Sequence, residues 1–143
     1  MRRAPDAPPP AGLTRRLASL GYELLLLVAV LMTGALPFLL ATRDLDHAIA
    51  RPLLQAYLAL LGGVYFIWQW WRGGQTLPMK TWRLRLVTRE GGPLSPARAA
   101  TRYALAFAGT LALGAGFAWA LVDRNRLFLH DRLAGTTIVK EEE

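Results

Sequence analysis

The sequence predicts an all-α membrane protein, with three transmembrane-length helices and a short amphipathic or β-like segment between the second and third. Three observations carry that expectation. The 143-residue chain is 53% hydrophobic and only 19% charged, outside the balance of a soluble globule. Its apolar residues are gathered into three uncharged runs, 24–41, 52–71 and 103–122, of eighteen, twenty and twenty residues. About 20 residues of helix at roughly 1.5 Å each cross a hydrocarbon core about 30 Å thick, so each run is long enough to span. Finally, the basic residues cluster beside particular runs, as they do in membrane proteins sorted by loop charge.

Residues 1–14 hold Pro5, Pro8, Pro9 and Pro10 among Ala and Gly, the composition of a disordered leader. Helix one is expected from near Leu17. Although four arginines precede it, its apolar stretch exceeds a signal-peptide core of about 7–15 residues and lacks a small-residue cleavage site, so it is read as retained. Pro37 should bend or finish it. Asp44, Asp46 and His47 make a polar turn, and helix two follows, ending in Trp68, Trp70 and Trp71. Indoles prefer the headgroup level, so this cluster marks a membrane boundary.

Gly73 and Gly74 break the helix. Trp82, Leu84 and Leu86 then alternate with Arg83, Arg85 and Val87, the period of a half-buried strand. Ser95 and Pro96 form an N-cap and first-turn pair that opens the next helix. In the third run, Gly109, Gly114 and Gly116 allow close backbone approach. A short amphipathic helix over 126–134, closed by Gly135, and a β-favouring segment over 136–139 complete the pattern. The chain thus divides into a leader, 1–14, a membrane domain, 15–139, and a charged tail, 140–143.

The formal charge of +7 does not indicate nucleic acid, because its placement is topological. Four arginines against Asp6 precede Leu17, and seven Lys/Arg against Glu90 lie in 72–102. The 42–51 connection carries only Arg43 and Arg51, balanced by Asp44 and Asp46. Lys/Arg-rich flanks stay in the cytoplasm, which puts the N-terminus and the second connection inside a bacterial inner membrane. The lipid bilayer is the expected partner, with anionic lipid attracted to the basic flanks. With no cysteine, thiolate metal sites and thiol nucleophiles are excluded.

Glu23 is the outlier among the apolar residues. It lies two turns, about 10 Å, beyond Arg16 on nearly the same helix face. An ionisable group within a membrane helix is costly unless paired, protonated or facing water. It reads either as a proton or cation site or as a buried counter-ion to Arg72, Arg98 or Arg102. Asp131 sits between His130 and Arg132, but neighbouring helical residues diverge and no third ligand is spaced to join them. A loop-closing polar cluster is the expectation there. The segment RGGQT, 72–76, lacks the ending of a phosphate-binding loop. No catalytic constellation, metal set or cofactor motif converges, so an enzyme is not expected.

Together these segments resemble the RDD family of small multi-pass membrane proteins, named for one arginine and two aspartates. The arginine matches Arg16 in RRLASLGYE, the first aspartate falls on Glu23, and the second on Asp131. The loop pattern corresponds to GGQTLPMK, with Gly73, Gly74, Gln75, Thr76 and Lys80. The closing pattern HDRLAGT supplies His130, Arg132, Gly135 and Thr136. Glu23 keeps the carboxylate but lengthens the side chain, and Pro78 stands where the family has glycine. The resemblance implies a membrane domain and an activity in ligand transport or cation/proton exchange.

Two topologies fit the third run. A full span puts the C-terminus outside, leaving Arg124, Arg126, Arg132 and Lys140 on the side that should be poor in basic residues. A re-entrant hairpin turning at Gly114 and Gly116 returns the tail to the cytoplasm and lets 136–139 pair with the 82–87 strand. Irregular backbone at that depth must be buried in protein, so the span is the expected arrangement. Two functions fit as well. One is proton- or cation-coupled movement of a small ligand, with Arg16, Glu23 and Asp131 forming the site. As three helices enclose little, it requires a homo-oligomer or a membrane-protein partner. The other is a scaffold or assembly partner without chemistry.

Overall fold

The computed structural model describes residues 8–141. Two helices reach membrane length: α1, Leu13–Ala41, of 29 residues, and α2, His47–Gly73, of 27. At about 1.5 Å per residue each exceeds a 30 Å hydrocarbon core. Helix α1 continues past Pro37 and ends at Thr42, whose N–H bonds back to the Phe38 carbonyl. Asp46 caps α2, its carboxylate accepting the Ala48 N–H at 2.7 Å. The two helices pack closely at Gly34, where an added Cβ would run into the Leu61 side chain.

After Gly74, which closes α2 with φ at 66°, the chain makes a short helix α3, Leu77–Thr81, and a strand β1, Leu84–Thr88. Pro78 occupies the first turn of α3, where a missing N–H costs nothing, and its side chain is buried. Helix α4, Pro96–Leu111, begins as the Ser95–Pro96 pair predicts, with the Ser95 hydroxyl accepting the Arg98 N–H at 3.2 Å. Beyond it come the four-residue α5, Ala115–Ala118, a 3-10 turn at Trp119–Leu121, helix α6, Leu129–Ala134, and strand β2, Thr136–Lys140.

The third apolar run is not one straight spanning helix. It bends by 104° between α4 and the segment Ala115–Leu121. The turn is made at Leu113 and Gly114, both with positive φ, and Gly109 meets Gly116 so closely that a Cβ on either would lie 3.2–3.3 Å from the other's backbone. Of the three transmembrane-length helices expected, two are continuous and the third is a bent pair, so the structure holds two such helices, or three if the pair counts as one span. The reason is long-range: β2 pairs antiparallel with β1, from Leu84 opposite Lys140 to Thr88 opposite Thr136. A strand that follows the third run is tied to one that precedes it, so both belong to one end of the molecule.

The N-terminal residues join that end. Pro10 bridges Val139, and the Ala11 N–H donates to the Ile138 carbonyl at 2.8 Å. Of the segment expected as a leader, 1–7 lies outside the described residues, as do 142 and 143 of the tail. Beneath the helices, Leu84, Leu86, Ala99, Phe128 and Ile138 form a small buried core. By contrast Leu25, Met32, Leu40, Leu60 and Val64 on α1 and α2 are largely exposed, as lipid-facing side chains must be.

Two expectations follow. Reporters fused at the two termini should read out in the same compartment, and opposite compartments would require the bend to be a straight span. Gly74→Ala should lower stability by about 1–3 kcal/mol in a detergent melt, because a Cβ there meets the Leu86 carbonyl at 2.8 Å in a left-handed backbone. Gly73→Ala, with open space around it, should leave the melt nearly unchanged.

Candidate functional site

Helices α1 and α4 each pack against α2, and between them lies a cavity of about 470 Å³. Its polar lining includes Arg16, Ser19, Glu23, Thr76, Arg102 and His130. Arg16, Ser19 and Glu23 come from one face of α1, spaced three, four and seven apart as helical geometry requires. Thr76 comes from the turn after α2, Arg102 from α4 and His130 from α6.

Glu23 is buried, 6% exposed, yet among the described residues it has no cationic partner within ion-pair distance. Its carboxylate accepts from two hydroxyls instead. The Tyr65 hydroxyl donates at 2.8 Å and the Thr76 hydroxyl makes a short contact to the other oxygen. Of the counter-ions expected for Glu23, Arg72, Arg98 and Arg102, none makes a contact pair with it, and Arg102 acts on it through space. Arg72 lies over the rings of Trp68 and Trp71, Arg98 reaches Glu90 at 4.0 Å, and Arg102 pairs elsewhere.

Arg102 pairs with Asp131. Its Nε donates to Asp131 Oδ1 at 2.7 Å, both side chains are almost wholly buried, and the guanidinium lies 4.1 Å from the Trp70 ring centre. The Thr136 hydroxyl donates to the same Asp131 oxygen at 3.1 Å. Burial opposes ionisation of Asp131, but Arg102 and His130 beside it outweigh that and hold its carboxyl below the usual range. His130 packs against the rings of Phe117 and Phe128, and its Nε2 lies 3.5 Å from Arg102. Burial, reinforced by Arg102 and only partly offset by Asp131, pushes its pKa down to about 4.

Arg16, only 2% exposed, donates through Nη2 to the Arg126 carbonyl in a short contact and lies 5.1 Å from the Phe128 ring centre. Its Nε and Nη1 are buried without a hydrogen-bond partner among the described residues. The arrangement is asymmetric: neither Arg16 nor Glu23 touches an opposite charge, Asp131 and Asp123 acting on Arg16, and Arg102 on Glu23, only through space.

The family-pattern residues are therefore brought together in part. Arg16 and Glu23 face the cavity directly, while Asp131 stands behind Arg102. The remaining motif residues build the frame. Gly74 lets the Leu86 N–H reach its carbonyl at 2.7 Å, and the Gln75 amide donates to the Leu84 carbonyl at 2.8 Å and to Glu141 at 2.7 Å. Arg132 makes a short ion pair with Asp123, Gly135 ends α6 in a left-handed turn, and Lys80 is exposed. Trp70, read from sequence with the interfacial belt, is buried under Arg102, unlike the exposed Trp68 and Trp71. No group of three His, Cys, Asp or Glu side chains among the described residues is placed to share a metal ion.

The family model described as the RDD family matches residues 10–135, nearly the whole chain, with Arg16, Glu23, Thr76, Arg102, His130 and Asp131 inside it. The chain belongs to the RDD family. No curated protein and no solved structure matches it. Membership and two apolar helices of spanning length make this RDD protein a membrane protein in contact with lipid. Glu23 reaches two hydroxyl donors, one from α2 and one from the turn beyond it.

Two measurements test this electrostatic frame. Asp131→Asn should cost about 3–5 kcal/mol by leaving Arg102 buried and unpaired, whereas the double change Arg102→Met with Asp131→Leu should recover part of that loss in the same melt. For His130, the folded pKa near 4 lies below the unfolded 6.5, so the unfolded chain binds the proton first as pH falls. Stability should be level above pH 6.5 and decline by about 3 kcal/mol between 6.5 and 4, with Asp131 adding to the loss at still lower pH. His130→Phe should flatten the 6.5-to-4 portion of the profile.

Proposed function

We propose that this RDD protein is a proton- or cation-coupled carrier of a small ligand rather than an enzyme, with Glu23 as its exchanging carboxylate. The observation that carries the reading is the cavity between α1 and α4, onto which Glu23 opens with two hydroxyls as its hydrogen-bond partners and Arg102 acting only through space. A carboxylate fixed by a permanent guanidinium would be locked in its charged form. Held by Tyr65 and Thr76, it can gain or lose a proton or cation while keeping hydrogen bonds, since each hydroxyl can reverse its role. Arg16 and the Arg102–Asp131 pair set the surrounding field.

The protein acts in a bacterial inner membrane with its N-terminus in the cytoplasm. In support, the β1–β2 pairing gathers the flanks of α1, α2, α4 and β2 at one end. Arg124, Arg126, Arg132 and Lys140 thereby join the other basic residues. The opposite turn keeps only Arg43 and Arg51 against Asp44 and Asp46, the distribution that the positive-inside rule assigns to the outer face. Two spanning helices and a bent pair enclose little, so the working unit is a homo-oligomer or a complex with a membrane partner.

In vesicles carrying an entrapped pH dye and an imposed pH gradient, addition of Na⁺, K⁺ or an organic anion should collapse the gradient through the wild-type protein. Glu23→Gln should slow that collapse by at least about tenfold, in the range of losing a group that transfers protons. An unchanged rate would remove the carrier reading.

A further inference from the structure

From the contents of this cavity we infer that its ligand is an anionic amphiphile, with its charged oxygens on Arg16 and its hydrocarbon chain lying between α1 and α4. The inference rests on the reading of the cavity as a ligand site and adds the chemical class. The head is argued from Arg16. A guanidinium cannot be neutralised by losing a proton in a protein, so a buried one with two unpartnered nitrogens lacks much of what water would supply. Its Arg126 carbonyl and Phe128 ring partners carry no negative charge, and Asp131 and Asp123 act on it only from beyond ion-pair distance, each engaged by another arginine, Arg102 and Arg132. Carboxylate or phosphate oxygens match both the charge and the donors.

The tail is argued from the rest of the cavity wall. Beyond Glu23 the lining turns to Leu24, Leu27 and Leu31 of α1, Leu58 of α2, and Phe107 and Thr110 of α4, the Thr110 hydroxyl being taken up by the Ala106 carbonyl. From Arg16 to Leu31 the helix rises about 22 Å, more than one leaflet of a core about 30 Å thick. Leu24 and Phe107 at the rim are about half exposed, at 54% and 42%, which opens this limb sideways toward lipid. A free polar metabolite would leave most of that wall unmatched, whereas an acyl chain covers it. Volume agrees: about 470 Å³ falls in the roughly 300–1,000 Å³ range of small-molecule sites and accommodates one chain rather than several. The anionic head also shares the cavity with Glu23. Like-charge repulsion is relieved when Glu23 takes up a proton, so head and proton bind cooperatively.

Two sources carry this chemistry, a free fatty acid and a phospholipid with an anionic head. Trp70 lines the cavity, and with the exposed Trp68, Trp71, Trp82 and Trp119 changed to Phe it is the reporter for both. In non-ionic detergent, 9,10-dibromostearate and a dibrominated phosphatidate would each be titrated against tryptophan fluorescence, with methyl dibromostearate as an uncharged control that partitions into the same micelles. Saturable quenching by either acid and linear, weak quenching by the ester is expected, and the tighter acid identifies the source. Arg16→Gln should weaken the saturable component by about tenfold, the scale of one charge-assisted contact. Ala106→Phe, which narrows the hydrocarbon limb and leaves Arg16 in place, should abolish it, while the lipid-facing Leu25→Phe should not. Melting curves of each variant establish that it is folded. Equal, linear quenching by acid and ester would overturn the inference, as would retained binding in folded Ala106→Phe or full competition by inorganic phosphate alone. Binding needs no gradient, so saturable quenching without flux would remove only the carrier reading. Flux without saturable quenching would remove only this one.

Discussion

The pairing of Arg102 with Asp131 holds three elements at once. Arg102 belongs to α4, Asp131 to α6, and the Trp70 ring beneath the guanidinium to α2. Two almost wholly buried charges are expensive to remove from water, and they persist because Arg102 and Thr136 both donate to Asp131 Oδ1, while its Oδ2 is left without a hydrogen-bond partner among the described residues. Removing one partner would leave the other buried and uncompensated. Folding α6 against α4 is thus a condition for burying either, and that docking brings His130 and Phe128 to the cavity wall. The side chain best hidden from the cavity governs the shape of the cavity itself.

The same docking fixes the course of the backbone. Once α6 lies on α4, β2 follows directly from Gly135 and pairs with β1 along five residues on each strand. Pairing satisfies backbone groups that could not be left bare beside lipid. The third apolar run must then leave and return on one side, which Leu113, Gly114 and the Gly109–Gly116 contact permit. The bend also resolves a conflict of charge, since a straight span would have carried four basic residues to the opposite face.

Against this frame the cavity holds unbalanced groups. Arg16 is supported by a carbonyl and a ring, Glu23 by two hydroxyls, and the two lie about two helical turns apart rather than in contact. Neutral partners leave each group able to respond to what enters the cavity. A direct ion pair would have satisfied both and closed the site chemically. Separation along α1 therefore matters as much as identity.

The sequence by itself determined the local features. Helix starts at Ser95–Pro96 and Asp46, the helix stop at Gly135, the alternating strand around Leu84 and Leu86, and the lipid-length runs all depend on residues a few positions apart. It also marked Arg16, Glu23 and Asp131, because charge inside an apolar pattern and a family motif are both visible in one dimension. What only the tertiary structure decided was which of these groups meet. Glu23 and Thr76 are 53 positions apart, Arg102 and Asp131 29, and Arg16 and the Arg126 carbonyl 110. Trp70 differs from Trp68 and Trp71 only in facing the docked α4, which composition does not encode. The bend of the third run belongs to the same class: its hydropathy fits a span, and the distant pairing of β1 with β2 turns it back.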